Sequence, residues 1–311
     1  MENSALWFRE FGQPEKVLAL EQAILTPRAA GKLRVQMLYS PINPSDLIPV
    51  TGAYRHRVVP PRVAGYEGVG VVDGADDPAL IGLRVLPLRG EGTWQRWLDC
   101  DPLWAVPVPD CVSDVLAARG YINPLAAYVM LRKWPVRGKK VMLTAATSSC
   151  AGLLAQWAIS QGAKTVFGVY RSPNQSAAPE LDGIVPLSID DKSGLRLAAG
   201  QADIVFDAVG GELATALLRH MRPGTDFVSY GLLSGRLYQL TGGSVHPQRF
   251  HLRDTLAVTA PDEWQRWFIE LWEMLAVSRL PEVRLFPLEN WREALEAFAV
   301  PGRRGKPMLR M

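Results

Sequence analysis

The sequence predicts an α/β protein of two domains, one compact and mostly β, the other doubly wound around a parallel sheet. Three observations carry this expectation. A chain of 311 residues is long enough for two separate cores. Up to about Gly120 it lacks helical periodicity and is rich in short strand-like runs punctuated by Gly and Pro. From Lys139 to Ser172, KKVMLTAATSSCAGLLAQWAISQGAKTVFGVYRS, it reads as strand, small-residue turn, helix and strand.

In the first region, Lys32 to Leu38 alternates polar and apolar residues, as a strand covered on one face does. Val69 to Val72 and Arg84 to Leu88 read similarly. Between them lies PINPSDLIPVTGAY, where Ser45 or Asp46 caps a short helix before Gly52 turns the chain toward Tyr54. A P-x-x-x-G-x-E-G-x-G run follows, from Pro61 to Gly70. Beside Tyr54 stands a basic trio, Arg55-His56-Arg57, suited to an acidic substrate tail or simply to solvent.

In the second region, Val141 to Leu143 form the first strand, and Leu153, Leu154, Trp157 and Ala158 recur at helical spacing until Gly162. The residues between are small. That lets a dinucleotide pyrophosphate approach a helix N-terminus, where unpaired N–H groups and the helix dipole favour negative charge. Ser148, Ser149, Cys150 and Ala151 are therefore candidate cofactor contacts, although the turn does not spell G-x-G-x-x-G. Cys150 also reads as a small residue packed at a helix start. The second strand ends in Tyr170-Arg171-Ser172, with no carboxylate for a ribose 2′-OH. A guanidinium pairs with a 2′-phosphate, so the expected cofactor is NADPH, against the plainer reading of Arg171 as a solvated loop arginine.

Further strands are expected near Val166, Ile204 and Phe227 and at Thr255 to Val258. Gly210 with Gly211, and Tyr230 with Gly231, end two of them and line the cofactor crevice or serve only as turns. The stretch between Arg171 and Asp203 is poor in helical pattern and reads as shortened, leaving the adenine side open. Asp262 to about Ser278 is an amphipathic helix with an apolar stripe of Trp264, Trp267, Phe268, Leu271, Trp272 and Leu275. A strand-like VRLFPL, a helix ENWREALEAFAV and a last strand after Gly305-Lys306 complete the chain. Lys306 is a candidate for cofactor phosphate, with a solvated basic turn as the competing reading.

Composition is ordinary for a globular protein, and the net charge of +3 is spread without a basic block, which argues against nucleic acid as a partner. No apolar stretch reaches transmembrane length, so no membrane association is expected, and MENSALWFRE lacks the pattern of a secretory leader. A cytoplasmic location is expected by default. Cys100, Cys111 and Cys150 are odd in number and widely spaced, so reduced thiols are expected.

Asn43-Pro44-Ser45-Asp46 with Gly52 and Tyr54, Gly65-Tyr66-Glu67-Gly68-Val69-Gly70, Ile122 to Tyr128, Asp207 to Gly211, and Ser229-Tyr230-Gly231 occur in an order and spacing that is specific. With them the chain resembles the zinc-independent medium-chain dehydrogenases/reductases, in the branch of quinone oxidoreductases and mitochondrial-type 2-enoyl thioester reductases. The resemblance spans nearly the whole chain. It implies a GroES-like substrate domain over 1–120, completed by 262–311, and a Rossmann NADP-binding domain over 121–261. It also implies a homodimer pairing through an edge strand at Thr255 to Val258. Asn43 and Tyr66 stand where zinc-dependent relatives carry cysteine and histidine, and the four histidines show no ligand spacing, so no metal is expected.

Without metal, the reaction must handle negative charge by hydrogen bonding. Hydride addition to the β-carbon of an activated alkene puts charge on the carbonyl oxygen, and the α-carbon then needs a proton. Tyr54 occupies the position of the catalytic tyrosine in enoyl thioester reductases, and a phenol is protonated at neutral pH; a turn tyrosine covering a cleft is the competing reading. Asn43 is an amide donor for substrate or nicotinamide, and Asn123 a second orienting amide, or both are capping residues. The substrate is expected to be a small molecule: an enoyl thioester or enone with Tyr54 as acid, or a quinone protonated from solvent. A dinucleotide-binding protein without turnover is the third reading.

Overall fold

The computed structural model describes residues 2–88, 92–171, 183–240, 245–303 and 305–311. The chain divides into two compact units, one made of Met1–Ile122, Thr259–Val277 and Pro281–Met311, the other of Asn123–Val258 and Ser278–Leu280.

The first unit opens with β1 (Glu2–Phe8), α1 (Pro14–Val17), β2 (Leu18–Ile24), β3 (Leu33–Pro41), α2 (Pro44–Leu47), β4 (Arg62–Val63), β5 (Val69–Gly74), β6 (Arg84–Pro87), β7 (Trp97–Cys100), β8 (Ala105–Pro107) and α3 (Asp114–Ala117). On β3, Leu33, Val35 and Met37 are buried and alternate with less buried neighbours, so one face packs into a core with Val72, Val85 and Leu98. Gly70 is required there: a Cβ on it would sit 2.4 Å from the Gln36 carbonyl oxygen.

The second unit follows with α4 (Ile122–Lys133), β9 (Lys140–Leu143), α5 (Ser149–Ser160), β10 (Thr165–Tyr170), β11 (Ile184–Ser188), α6 (Lys192–Gln201), β12 (Ile204–Asp207), α7 (Gly211–His220), β13 (Asp226–Ser229), β14 (Gln248–Arg249) and α8 (Leu252–Leu256). Its sheet is parallel, in the order β11-β10-β9-β12-β13-β14. Val141, Met142 and Leu143 are all fully buried, as expected of a strand covered on both faces.

Two expectations are corrected here. Thr255–Val258 is not a strand: Leu252–Leu256 is helical, only Leu256 of that run is buried, and the described sheet edge is β14. The stretch before Asp203 is also more regular than its composition suggested. Asp191 caps α6 by accepting the Gly194 N–H at 2.9 Å, and Leu195, Ala198 and Ala199 bury one face of the helix.

The chain then returns to the first unit through α9 (Pro261–Ala276), β15 (Val283–Pro287), α10 (Trp291–Ala299) and β16 (Lys306–Arg310). β16 pairs antiparallel with β3, Leu309 opposite Ser40, and completes the sheet β15-β16-β3-β5-β6-β8. The α9 stripe of Trp264, Trp267, Phe268, Leu271, Trp272 and Leu275 is buried throughout.

Candidate active site

In the second unit, Ser148 caps α5, its hydroxyl accepting the Ala151 N–H at 3.3 Å. Cys150 is buried, its thiol directed at the Asn123 carbonyl at 3.8 Å, and burial pushes that thiol up to about 12, so it stays protonated. Asn123 thus meets the turn through its backbone. A Cβ at Gly152 would touch nothing within 4 Å, leaving open space beside the first turn of the helix. The Tyr230 hydroxyl is buried beside Ser148 and Cys150 without a hydrogen bond of good geometry. Burial, then the neighbouring Cys150 and Asp207, pushes its phenol well up, so it remains a donor. Open space, a capped helix N-terminus and an orphan hydroxyl donor fit the phosphate of a dinucleotide.

Asp207 organises the neighbouring turn. Its carboxylate accepts the Thr144 hydroxyl at 2.7 Å and the Val209 and Gly210 N–H groups at 3.1 and 2.9 Å. Gly210 has φ 71° and ψ −157°, a conformation essentially confined to glycine. A Cβ on Gly231 would lie 2.8 Å from the Ala208 oxygen, so the ends of β12 and β13 approach closely. Ser149 is half-buried in the first turn of α5, Tyr170 is half-buried at the end of β10, and Arg171 is exposed. Ser172 lies outside the described residues.

In the first unit a polar cluster is sealed inside the fold. Asn43, Asp46 and Glu67 are each 1% exposed and Lys306 7%. Asp46 accepts the backbone N–H groups of Asn43 at 2.7 Å and Tyr66 at 2.8 Å. Glu67 accepts the Asn43 side-chain amide and the Ile122 N–H, both at 2.7 Å. Lys306 donates to the Asn43 side-chain oxygen. The Glu67 carbonyl is held by the Ser40 and Thr93 hydroxyls at 2.5 and 2.9 Å. Burial and then repulsion from Glu67 push the Asp46 carboxyl up to about 7; burial pulls the Lys306 ammonium down to about 8, against the attraction of Glu67 and Asp46.

Asn43 directs one amide N–H at Glu67 and its oxygen at Lys306, so part of its hydrogen-bonding capacity is used inside the cluster. One expectation is corrected: Lys306 is not in a solvated turn, because β16 carries it into the core of the first unit, near the carboxylates of Glu67 and Asp46. Sequence reading places Glu67 only within a glycine-rich run and Asp46 only as a helix cap; neither signal points to a shared buried cluster. Tyr54 packs at the margin of the core formed by Leu6, Ile42, Val50 and Trp94, its ring edge-on to His56 with centroids 6.2 Å apart. Among the described residues, no group of three His, Cys, Asp or Glu side chains is placed to hold a metal ion.

The parallel sheet of the second unit and the mostly β first unit are the architecture of the dehydrogenases/reductases to which the chain is similar. No family model matches the chain. It is 28% identical to the mitochondrial enoyl-[acyl-carrier-protein] reductase of Mus musculus over 329 residues, covering 99% of this chain and 88% of that protein. The Dictyostelium discoideum enzyme of the same name is 30% identical over 251 residues, covering 72% of this chain and 69% of that one. A Bacillus thuringiensis structure described as an NADPH:quinone reductase superposes with a TM-score of 0.91 at 32% identity, covering 100% of this chain and 99% of that one. The chain belongs to the medium-chain dehydrogenase/reductase superfamily, in its enoyl reductase and quinone oxidoreductase branch. The expected cytoplasmic location is corrected by the Mus musculus and Dictyostelium discoideum relatives, which are mitochondrial enzymes by name. Compartment is set by sorting signals, and neither composition nor fold carries it.

Proposed function

We propose that the protein is an NADPH-dependent oxidoreductase that reduces the activated C=C of a 2-enoyl thioester or enone, with Tyr54 as proton donor. The observation that carries this reading is the placement of Tyr54 at the end of an ordered run of turns that begins at the Asn43 and Asp46 clamp. Relatives named for enoyl-[acyl-carrier-protein] reduction support the substrate class.

Bound NADPH would supply the hydride, becoming NADP⁺. The second unit would hold it through the N-terminus of α5 with Ser148, Ser149 and Ala151, through the Tyr230 hydroxyl, and through the backbone around Gly210 and Gly231. Tyr54 would hydrogen-bond the carbonyl oxygen as charge develops there and deliver the proton that the α-carbon takes up, so that one hydride and one proton add across the double bond. Thr144 and Asp207 would keep the Gly210 turn in place. The assay is NADPH oxidation with a 2-enoyl thioester, a simple enone and a quinone; absence of thioester and enone turnover with good quinone turnover would replace this reading by the next.

A quinone reductase is the second reading, favoured by the Bacillus thuringiensis relative. There the quinone oxygens take protons from solvent and Tyr54 is dispensable.

Arg171 and, outside the described residues, Ser172 are proposed to select the 2′-phosphate. Arg171→Ala is expected to weaken NADPH binding about tenfold and leave NADH binding unchanged, read by fluorescence titration. An equal loss for both cofactors would remove Arg171 from that role.

A homodimer is proposed through the second unit. Leu232, Leu233, Leu237 and Leu240 are exposed within nine consecutive residues, and β14 leaves a sheet edge nearby in sequence. Sedimentation velocity at micromolar concentration should give twice the chain mass of 34.3 kDa; a single-chain mass would refute it.

A further inference from the structure

We infer that Lys306 is a positioning residue for the reaction: by fixing the Asn43 amide between its own ammonium and Glu67, it sets the start of the segment that carries Tyr54. The inference rests on the reading of Tyr54 given above.

The Asn43 amide has one orientation in this cluster. Its nitrogen donates to the Glu67 carboxylate at 2.7 Å, and its oxygen accepts from the Lys306 ammonium. An ionised carboxylate only accepts and an ammonium only donates, so turning the amide by half a revolution would set donor against donor and acceptor against acceptor. Lys306 and Glu67 together therefore decide which way Asn43 faces.

From Asn43 to Tyr54 the chain has no slack. Asp46 closes back on the Asn43 N–H at 2.7 Å, and α2 follows directly. The turns continue with Ile48 N–H to Pro44 O at 3.0 Å, Val50 to Leu47 at 3.0 Å and Gly52 to Pro49 at 3.1 Å. Arg55 to Gly52 at 3.1 Å and Val58 to Tyr54 at 2.9 Å then enclose the tyrosine. A change in how Asn43 is seated is transmitted along this ladder, because each turn is bonded to the one before.

Lys306 reaches the cluster from the far end of the chain. It begins β16, whose Pro307 carbonyl accepts the Ile42 N–H at 3.1 Å, so the strand is stitched to the residue just before Asn43. A lysine at 7% exposure does not serve solubility, and an apolar side chain would fill the same space without desolvating a charge. What the ammonium adds is a fixed donor opposite a fixed acceptor.

The test compares wild type, Lys306→Met and the charge-balanced double variant K306M/E67Q. Three readouts are used: amide hydrogen exchange over residues 44–58, kcat with a 2-enoyl thioester, and the Kd of NADPH. In Lys306→Met, exchange over 44–58 should quicken and kcat fall at least tenfold, with the NADPH Kd within twofold of wild type. The double variant should recover the melting temperature, because the ammonium and the carboxylate facing it are removed together. Its kcat should stay low and its exchange fast, since the carboxamide introduced at position 67 both donates and accepts and so tolerates either orientation of Asn43. If Lys306→Met does not fold, the double variant alone decides.

Recovery of kcat together with the melting temperature would reduce Lys306 to charge balance and overturn the inference. Wild-type exchange over 44–58 would also overturn it, and a tenfold rise in NADPH Kd with that exchange unchanged would make Lys306 a cofactor ligand instead. Failure of the Tyr54 reading shows differently: Tyr54→Phe then turns over the thioester like wild type, while the exchange data still decide whether Lys306 orders the segment.

Discussion

Tyr54→Phe is expected to lower kcat for 2-enoyl thioester reduction by about 10²- to 10⁴-fold, the range in which a positioned general acid contributes. The substitution removes one hydroxyl and leaves the ring. That ring packs at the margin of a core built from Leu6, Ile42, Val50 and Trp94, and phenylalanine keeps this contact, so the fold and its melting temperature should be preserved. NADPH affinity should also be unchanged, because the proposed cofactor contacts lie in the other unit of the chain. The loss should therefore fall on kcat and kcat/KM alike, as for a group that acts only as charge develops. With a quinone the same variant should turn over like wild type, since reduction there places charge on oxygens that water protonates. Wild-type rates with the thioester would make Tyr54 a wall residue. NADPH oxidation at matched substrate saturation, for both proteins and both substrates, distinguishes these results.

The parts of this protein that were legible in its sequence are those whose reasons are local. β9, α5 and β10 follow from a run of apolar residues, a run of small ones and a 3.6-residue stripe, all within one stretch of chain. The α9 stripe is similar, with six large apolar residues on one face. Where local signals are weak or double-valued, the reading failed. α6 contains two glycines and only three buried side chains, so its pattern was too thin to see; Thr255 to Val258 is β-branched at both ends, yet its first two residues end α8 and the other two form a turn. The polar cluster was illegible for a different reason. Lys306 and Glu67 are residue types that usually face solvent, and Lys306 is brought to Asn43 only by the pairing of β16 with β3. No spacing rule connects a residue to one 263 positions away. The solvated-turn reading of Lys306 failed for this reason, because it rests on neighbours in sequence rather than partners in space.

Lys306→Met is expected to destabilise the protein by about 3–5 kcal/mol at pH 8, the range for removing one partner from a buried ionic group. The size should depend on pH, and the direction follows from the two titrations. Asp46 is raised from 3.8 to about 7, so its contribution to stability is complete below its unfolded value and is lost as pH climbs to about 7. Lys306 is lowered from 10.5 to about 8, so its contribution is complete above the unfolded value and is lost as pH falls to about 8. The cluster is thus weakest between pH 7 and 8, where the Asp46 carboxylate and the Lys306 ammonium must both be charged without water. In Lys306→Met the upper limb vanishes. The lower one moves to higher pH, because Asp46 and Glu67 lose the nearby cation that favoured their ionised forms. At pH 5 the variant has protons available to neutralise its carboxyl groups and no ammonium to desolvate, so its deficit should be small. Up to about pH 7 Asp46 holds its proton in wild type and variant alike and the deficit changes little; above it wild-type Asp46 ionises while that of the variant does not, and the deficit grows to pH 8. Urea unfolding of wild type and variant at pH 5, 6.5 and 8 reads this directly. A deficit constant across that range would show that Lys306 contributes only the packing of its methylene chain, and that the charges of Asp46 and Glu67 are balanced by other groups.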